Sequence, residues 1–341
     1  MSDITIYSLA KKLNMTPSMV SRALSPTGKI SEEKRRIVLE AAQKYNYKPN
    51  QFASRLAMKP IRIGILILSS FSVNSEKMLS GIEAAHTQLK DYKIKYEVSV
   101  LPHESTDEEI YAVLEPYKSY DGIILAGMSA SRFTEHIRSL LRENKNVVQV
   151  QAMNPEVRAL FCSKHDEKTA AGLAAELLSH CLSFKPRKNI LLFTGTLASA
   201  LHRGAREAFA LQCEALGMRL LSVVDMQDNE AYLESILPSV FAAHEGEIDG
   251  IYITSGLSLP LCRFLEKTGR SLPFVAFDTY EGIKEYLRRG IITAAVSQNV
   301  KHQMQLAFDK LVHHIITGEE CAPMVYTDVQ LMLRSNLHEF D

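Results

Sequence analysis

Apolar positions follow two regimes along the 341 residues. As far as about residue 60 they recur every three or four positions. Beyond that they gather into short continuous runs separated by helical patterns. In the first regime Ile6, Leu9, Ala10 and Leu13 form one stripe at helical spacing. "NMT" (14–16) interrupts it. Thr16 is a good N-cap and Pro17 a good first helical residue, since that position has no helical partner for its N–H. Val20, Ala23 and Leu24 then share one face, with Ser18, Ser21 and Arg22 turned away. Two short helices joined by a tight turn predict a helix-turn-helix. "SPTGK" (25–29) reads as a turn. Ser31 is placed to cap a third helix, with Glu32 and Glu33 near its positive end and Ile37, Val38, Ala41, Ala42 and Tyr45 facing inward. Pro49 stops that helix. Asn50 is placed to start another over about 51–58, which offers only Ala53, Leu56 and Ala57 as apolar contacts before Pro60. So short a helix is marginal in water and needs a partner to form.

From Arg62 the runs read as strands, among them "RIGILIL" (62–68), "DGIILAG" (121–127), "RALFC" (158–162), "NILLFT" (189–194), "DGIYIT" (249–254), "PFVAF" (273–277) and "ITAAVS" (292–297). Most are separated by helical patterns such as "EKMLSGIEAAHTQL" and "KTAAGLAAELLSHCL". This alternation predicts an α/β body with parallel sheets covered on both faces. "DGIIL" at Asp121 and "DGIYI" at Asp249 occupy equivalent places in two similar series, so the body reads as two lobes with a cleft. Open α/β sheets bind ligands at the carboxyl ends of their strands.

Charge separates the same two regions. The chain is formally neutral, yet residues 1–60 hold 11 Lys and Arg against 4 Asp and Glu, leaving 28 against 35 in the rest. A basic head on an acidic body points the head at a polyanion. The five cysteines show no C-x-x-C spacing, which indicates neither a zinc site nor a redox pair and fits a reducing cytoplasm. "MSDITIYSLAKK" lacks the apolar core of a signal peptide, and no run of about 20 apolar residues suggests a membrane span. A cytoplasmic location is therefore expected.

No G-x-G-x-x-G follows a strand, and Walker A, G-x-S-x-G and H-E-x-x-H are absent. His165, Asp166 and Glu167 are consecutive, as are His313 and His314, and read as surface or capping residues. Neither cofactor nor metal is expected. The alternative function is an α/β enzyme acting on a sugar-like metabolite with a fused DNA-binding head.

"TIYSLAKKLNMTPSMVSRAL…YKPNQFASRLA" resembles the head of the LacI/GalR transcription regulators, through "VSRAL", the Tyr-x-Pro-Asn and the hinge Leu. The resemblance implies a helix-turn-helix over 1–48, a hinge helix or linker over 49–60, and an effector-binding and dimerisation body over 61–341. The second helix would enter the major groove, with paired hinge helices in the minor groove. By residue, Arg22 would read a base edge, most simply guanine. Thr16 and Ser21 would meet phosphates or base edges, Tyr7 a phosphate, and Asn50 the backbone. Leu56 would wedge a base step, with Ala53 and Ala57 allowing close approach. Thr5, Pro17 and Ser18 complete the expected DNA-facing set. Met19 stands where Thr is usual, and Pro17, at a position that often discriminates operators, has no donor. Direct readout there is thin, and Ser18, Arg22 and DNA bending should carry more of the specificity.

The body resembles the type I periplasmic-binding-protein-like effector domain of the same regulators, most clearly over "FVAFDTYEGIKEYLRRGIITAAVSQNVKHQMQLAFDKL" (274–311). The implied lobes are about 61–156 plus 292–320 and about 157–291 plus 321–341. Asp278 would accept hydrogen bonds from sugar hydroxyls or cap the helix starting near Tyr280. Gln298 would contact the ligand or the hinge between lobes. Ser69, Ser70, Phe71 and Asn74 follow the first strand and face the expected cleft. The family's usual Arg aligns with Ala205, leaving Arg203 or Arg206 as substitutes, and "SG" (255–256) replaces the usual "ND". The expected protein is a repressor that binds a palindromic operator in double-stranded DNA as a homodimer or tetramer, under a small sugar-like effector.

Overall fold

The computed structural model describes residues 6–24, 28, 30–45, 47, 59–69, 72–278 and 280–340. The chain divides into two compact units, Met1–Pro60 with Lys90–Lys93 and Ile61–Leu89 with Ile94–Asp341. In the first, α1 (Ile6–Leu13), α2 (Pro17–Leu24) and α3 (Glu32–Lys44) pack around Leu9, Ala10, Val20, Ala23, Val38, Ala41, Ala42 and Tyr47. Thr16 caps α2 as its sequence position suggests, its Oγ1 accepting from Met19 N at 3.3 Å. Ser31 stands at the N-cap of α3 but makes no side-chain cap bond. Ile37 is exposed rather than facing inward, because Val38 and Ala41/Ala42 already fill the seam. Arg35 donates to Ala23 O at 3.2 Å and Gly28 O at 2.5 Å, fastening α3 to the end of α2. A Cβ at Gly28 would collide with the Arg22 carbonyl, so this turn requires glycine. The expected hinge helix lies outside the described residues.

The second unit begins with β1 (Ile61–Leu68), α4 (Ser72–Gln88), β2 (Ile94–Leu101), α5 (Asp107–Tyr117), β3 (Gly122–Ala126), α6 (Thr134–Glu143), β4 (Val147–Val150) and β5 (Phe161–His165). A second series follows: α7 (Glu167–Cys181), β6 (Asn189–Thr194), α8 (Ala200–Ala215), β7 (Arg219–Asp225), α9 (Glu230–Ala243), β8 (Gly250–Ile253), α10 (Ser258–Thr268), β9 (Phe274–Phe277), α11 (Glu281–Arg288) and β10 (Ala294–Ser297). Last come α12 (Val300–Thr317), β11 (Met324–Thr327) and β12 (Gln330–Met332).

The strands form two six-stranded sheets, β2-β1-β3-β4-β5-β11 and β7-β6-β8-β9-β10-β12. The first is parallel throughout, and the second has only β12 antiparallel. Central strands are buried on both faces, as parallel sheets between helices demand. One face of the second sheet packs Ile190, Leu192, Tyr252, Val275 and Phe277 on α7 and α8; the other packs Leu191, Phe193, Ile251 and Phe274 on α9 to α11.

The repeat read from "DGIIL" and "DGIYI" is structural: β3 and β8 hold the same place in each sheet. The two aspartates do the same work. Asp121 Oδ2 accepts from Arg62 N at 2.7 Å, and Asp249 Oδ2 from Asn189 N at 3.0 Å, each satisfying the backbone at the start of the neighbouring strand.

The lobe boundaries differ from those expected. β5 and β11 lie in the first sheet and β10 in the second, so residues 161–165 and 324–327 belong to the first lobe and 294–297 to the second. Hydrophobic runs reveal that a strand is buried but not which sheet edge it extends. The backbone crosses between lobes three times, at 165–167, 297–300 and 327–330.

Candidate functional site

The head offers an acid-free helical face. Neither α1 nor α2 contains Asp or Glu. Tyr7, Thr16, Ser18, Ser21 and Arg22 are exposed, while Val20 and Ala23 are buried beneath them. Pro17 and Met19 are half-buried. Thr16 Oγ1 lies 3.2 Å from Ser18 Oγ, and Arg22 Nε donates to Ser18 O at 3.2 Å. That local bond uses one of the five guanidinium N–H donors of Arg22. Lys11 and Lys12 add positive charge. The arrangement suits a phosphate backbone and one base edge. Thr5, Asn50, Ala53, Leu56 and Ala57 lie outside the described residues.

In the body, a cavity of about 130 Å³ opens between the lobes, lined by Val73 and Asn74 of the first lobe and by Glu230, Gly256, Leu257, Leu259, Pro260, Asp278 and Tyr280 of the second. One wall is apolar: Leu257, Leu259, Pro260 and the Tyr280 ring, whose hydroxyl donates to Gly256 O at 2.7 Å. The polar lining groups are Asn74, Glu230 and Asp278. Asp278 follows β9 directly, is buried, and holds φ at +66°, a conformation that Asn and Asp adopt more readily than most other non-glycine residues. Gln298 Nε2 donates to its Oδ1 at 2.8 Å and Oδ2 at 3.0 Å. Burial pushes the Asp278 carboxyl above its ordinary range, against the opposing pull of Gln298, the Lys77 ammonium and Asn74. Lys77 is itself lowered by burial and the nearby Lys284 ammonium, with Asp278 pulling the other way. The N-cap of α11 falls on Tyr280, two residues beyond Asp278.

The residues expected at the effector site divide. Asn74 and Asp278 line the cavity, and Gln298 stands directly behind Asp278. Ser69 is held by its backbone, N to Leu101 O at 3.1 Å, and does not line the cavity. Arg203 and Arg206 do not reach it either. Arg203 folds back on its own loop, donating to Leu197 O and Ala198 O at 2.8 Å, and Arg206 lies 3.5 Å from Glu207. A guanidinium at a helix start finds the carbonyls of the preceding loop closer than a cleft. Ser70 and Phe71 lie outside the described residues.

Three groups escaped the sequence reading. Lys77 sits one helical turn beyond Asn74, a spacing that signals a shared face. Asp225, at the end of β7, and Asp228, in the loop that follows, hold the β6–α8 loop, accepting from Leu197 N at 3.1 Å and Thr196 N at 3.0 Å. Burial raises the Asp228 carboxyl, but the bonds from His202 and Thr196 outweigh it and hold the group below its ordinary range. A Cβ at Gly195 would collide with Asp228 and His202. Finally, His165 is not a surface residue: it is buried at the end of β5, because that strand joins the first sheet between β4 and β11. Asp166 does cap α7, accepting from Lys168 N and Thr169 N at 3.3 Å.

Residues 67–320 match the family described as periplasmic binding protein domain, and residues 5–50 match bacterial regulatory proteins, lacI family. The chain is similar to catabolite control protein A of Staphylococcus epidermidis, 26% identical over 234 residues and 68% of each chain. It is also similar to catabolite control protein A of Staphylococcus xylosus, 29% identical over 169 residues, 49% of this chain and 50% of that one. Among solved structures, a glucose-galactose binding protein from Geobacillus stearothermophilus superposes with a TM-score of 0.71 at 20% identity, covering 82% of this chain and 99% of that one. A putative LacI transcriptional regulator from Bacteroides fragilis gives 0.71 at 16%, covering 83% and 100%. An arabinose binding protein from Geobacillus stearothermophilus gives 0.72 at 16%, also covering 83% and 100%. These likenesses show a type I periplasmic-binding-protein-like body behind a lacI-type head. Among the described residues no helix is long and apolar enough to cross a membrane.

Proposed function

We propose that this chain, which belongs to the LacI family of bacterial regulatory proteins, is a cytoplasmic repressor that binds a palindromic operator as a homodimer and is released or recruited by a small polyhydroxy effector. Its class, a DNA-binding transcription regulator with an effector domain, is given by the family. The effector and the repressor mechanism are our reading.

The observation that carries it is Asp278. A carboxylate at the carboxyl end of a central strand, lining a small cavity together with Leu257, Leu259, Pro260 and Tyr280, suits a ligand that carries both adjacent hydroxyls and C–H groups. Sugars have this build, and the solved structures of similar fold are named for binding glucose, galactose and arabinose. The missing cleft arginine leaves fewer polar readers than such a site usually holds, which favours a small ligand over a long oligosaccharide.

In the head, Arg22 reads a base edge, with Ser18, Ser21 and Thr16 on phosphates or neighbouring bases and Tyr7 on a phosphate. Two-fold protein symmetry implies a two-fold operator. The effector acts through its differential affinity for two arrangements of the lobes, which sets the separation of the two hinges and whether Leu56 wedges the DNA.

Thermal shift of the full chain against sugars, polyols and sugar phosphates tests the cleft, since a ligand that binds only the folded state raises the melting temperature. The hit should change the affinity for DNA from the gene's own upstream region. A hit that the protein turns over, or one without effect on DNA binding, refutes the reading.

A further inference from the structure

A continuous chain of hydrogen bonds runs from the cavity carboxylate of the second lobe into the sheet of the first. Gln298 Nε2 donates to Asp278 Oδ1 at 2.8 Å and Oδ2 at 3.0 Å. The Gln298 carbonyl accepts from Gln303 Nε2 at 2.7 Å, and the Gln303 carbonyl accepts from Ser163 Oγ at 2.9 Å. Gln298 follows β10 and stands on the second crossing between lobes. Gln303 lies near the start of α12, which covers β3, β4 and β5, and Ser163 is the middle residue of β5. All four residues are buried.

The middle of this chain is the unusual part. Gln303 is fully buried among Val300, Met304 and Ala307 on the inner face of α12, where an apolar side chain would pack as well. Its Oε1 has no hydrogen-bond partner among the described residues. A buried carbonyl left unpaired is costly, so the amide is a poor core filler and its contribution is the one bond that Nε2 makes. That bond falls at the hinge. A turn of one lobe on the other is absorbed by the φ and ψ of a few crossing residues. Asn299, the N-cap of α12, holds φ at +54°, and Asp278 holds φ at +66°. Left-handed residues other than glycine persist where their surroundings hold them. The peptide between Gln298 and Asn299 is therefore a natural pivot, and its oxygen is the one that Gln303 grips.

We propose that Gln303 is a positioning residue for the effector response: its amide fixes the hinge carbonyl of Gln298, sets the approach of Gln298 Nε2 to Asp278, and carries a change at that carboxylate into β5. This rests on the reading of Asp278 as the effector contact and deepens it. When ligand hydroxyls take over the Asp278 oxygens, Gln298 Nε2 loses its acceptors and the pivot is released from the second lobe. Gln303 and Ser163 pass that release to the first.

The test uses the unliganded full chain, so its outcome is independent of whether any sugar binds. The Asp278 carboxyl carbon is followed by NMR against pH and assigned by its loss in Asp278→Asn. Gln298 favours the ionised carboxyl, so Gln298→Ala should raise the titration midpoint. Gln303→Met, unbranched and similar in size, should raise it by at least a third as much. Added to Gln298→Ala, it should change the midpoint by less than a fifth of that shift. From the other end, Asp278→Asn should move the backbone amide signal of Ser163, and by less than a fifth as much in a Gln303→Met background. The rings of Phe277 and His165, 5.6 Å apart, also join β9 to β5, and that background separates the two routes. In otherwise wild-type protein, Asp278→Asn should move the side-chain NH2 signals of Gln303. An Asp278 midpoint unchanged in folded Gln303→Met, a Ser163 signal that answers Asp278→Asn equally in both backgrounds, or Gln303 NH2 signals indifferent to Asp278→Asn would each overturn the proposal. The last is read without the methionine variant.

Discussion

Replacing Asp278 by Asn should leave the empty protein almost as stable as before while crippling its response to effector. In the empty protein the carboxylate is raised above its ordinary range by burial. A group whose folded pKa is raised is destabilising in its charged form: the penalty is absent at acid pH, grows as pH rises from the unfolded carboxyl range through the folded pKa, and is complete above it. Asn removes that penalty and also accepts the φ of +66° at Asp278 readily. Against this, Gln298 Nε2 exchanges an ionised acceptor for a neutral one, a loss of about 1 kcal/mol. The net change should stay within about 1 kcal/mol, or about 4 °C in melting temperature. The effector sees only the loss. Hydrogen bonds to a charged group contribute about 1.5–3 kcal/mol each and neutral ones about 0.5–1.5, so two hydroxyl bonds weaken together by about 2–3 kcal/mol. That converts to about 30- to 140-fold in Kd. Calorimetry with the hit from the sugar panel, and melting curves of the empty protein from pH 4 to pH 8, measure both halves. The variant should gain stability relative to wild type as pH rises. Full effector affinity in Asp278→Asn, or a fall of more than about 8 °C at neutral pH, would refute the assignment of this carboxylate to the ligand rather than to the fold.

Other perturbations probe separate parts. Arg22→Ala should weaken operator binding by about 1–3 kcal/mol and relax specificity at one base pair; an unchanged footprint and affinity would remove it from the base-reading set. Gly195→Ala should push Asp228 off the Thr196 N–H, a charge-assisted bond of about 1.5–3 kcal/mol, and lower the melting temperature by about 3–12 °C. A drop below about 1 °C would show that the loop accommodates the methyl group. Burial pushes the thiols of Cys162, Cys213 and Cys262 up to about 12, so a thiol reagent at pH 8 should reach only Cys181 and Cys321 until the protein is unfolded. Rapid labelling of more than two thiols in the native protein would contradict the described cores.

The head was legible because its signals are local. Thr16 and Pro17 start a helix by rules that involve only their near neighbours, and the 3.6-residue period then names Val20 and Ala23 as core. Its one inward residue that turned outward, Ile37, lies beside Val38, which together with Ala41 and Ala42 already fills the seam. In the body, the strands and the internal repeat were legible from apolar runs and the two Asp-Gly starts. Lobe membership was not, because β5 is joined to β11 by pairing across more than a hundred residues, and nothing in its own run shows which sheet β10 extends. The cleft divides the same way. Asp278, Asn74 and Gln298 follow strand ends, which sequence marks. The apolar wall of Leu257, Leu259 and Pro260 reads as ordinary core until the loop after β8 is seen to face open space. His165 lay in a run of three titratable residues that looks like surface, and only the sheet order buries it.

The order of the sheets also sets the order in which this protein can be born. The first lobe cannot close when its first hundred residues leave the ribosome, since its edge strand β11 and the helix α12 that covers β3, β4 and β5 are encoded after strands β6 to β10 of the second lobe. At about 5–20 residues per second, the exposed edge of β5 waits on the order of 10–30 s for its partner. During that interval the half-made lobe presents a bare parallel strand, Phe161–His165, and an uncovered apolar sheet face to other nascent chains. A chain broken off anywhere between the lobes would keep that face uncovered permanently. In the cell, then, this regulator should lean on chaperones during synthesis far more than its finished stability would suggest.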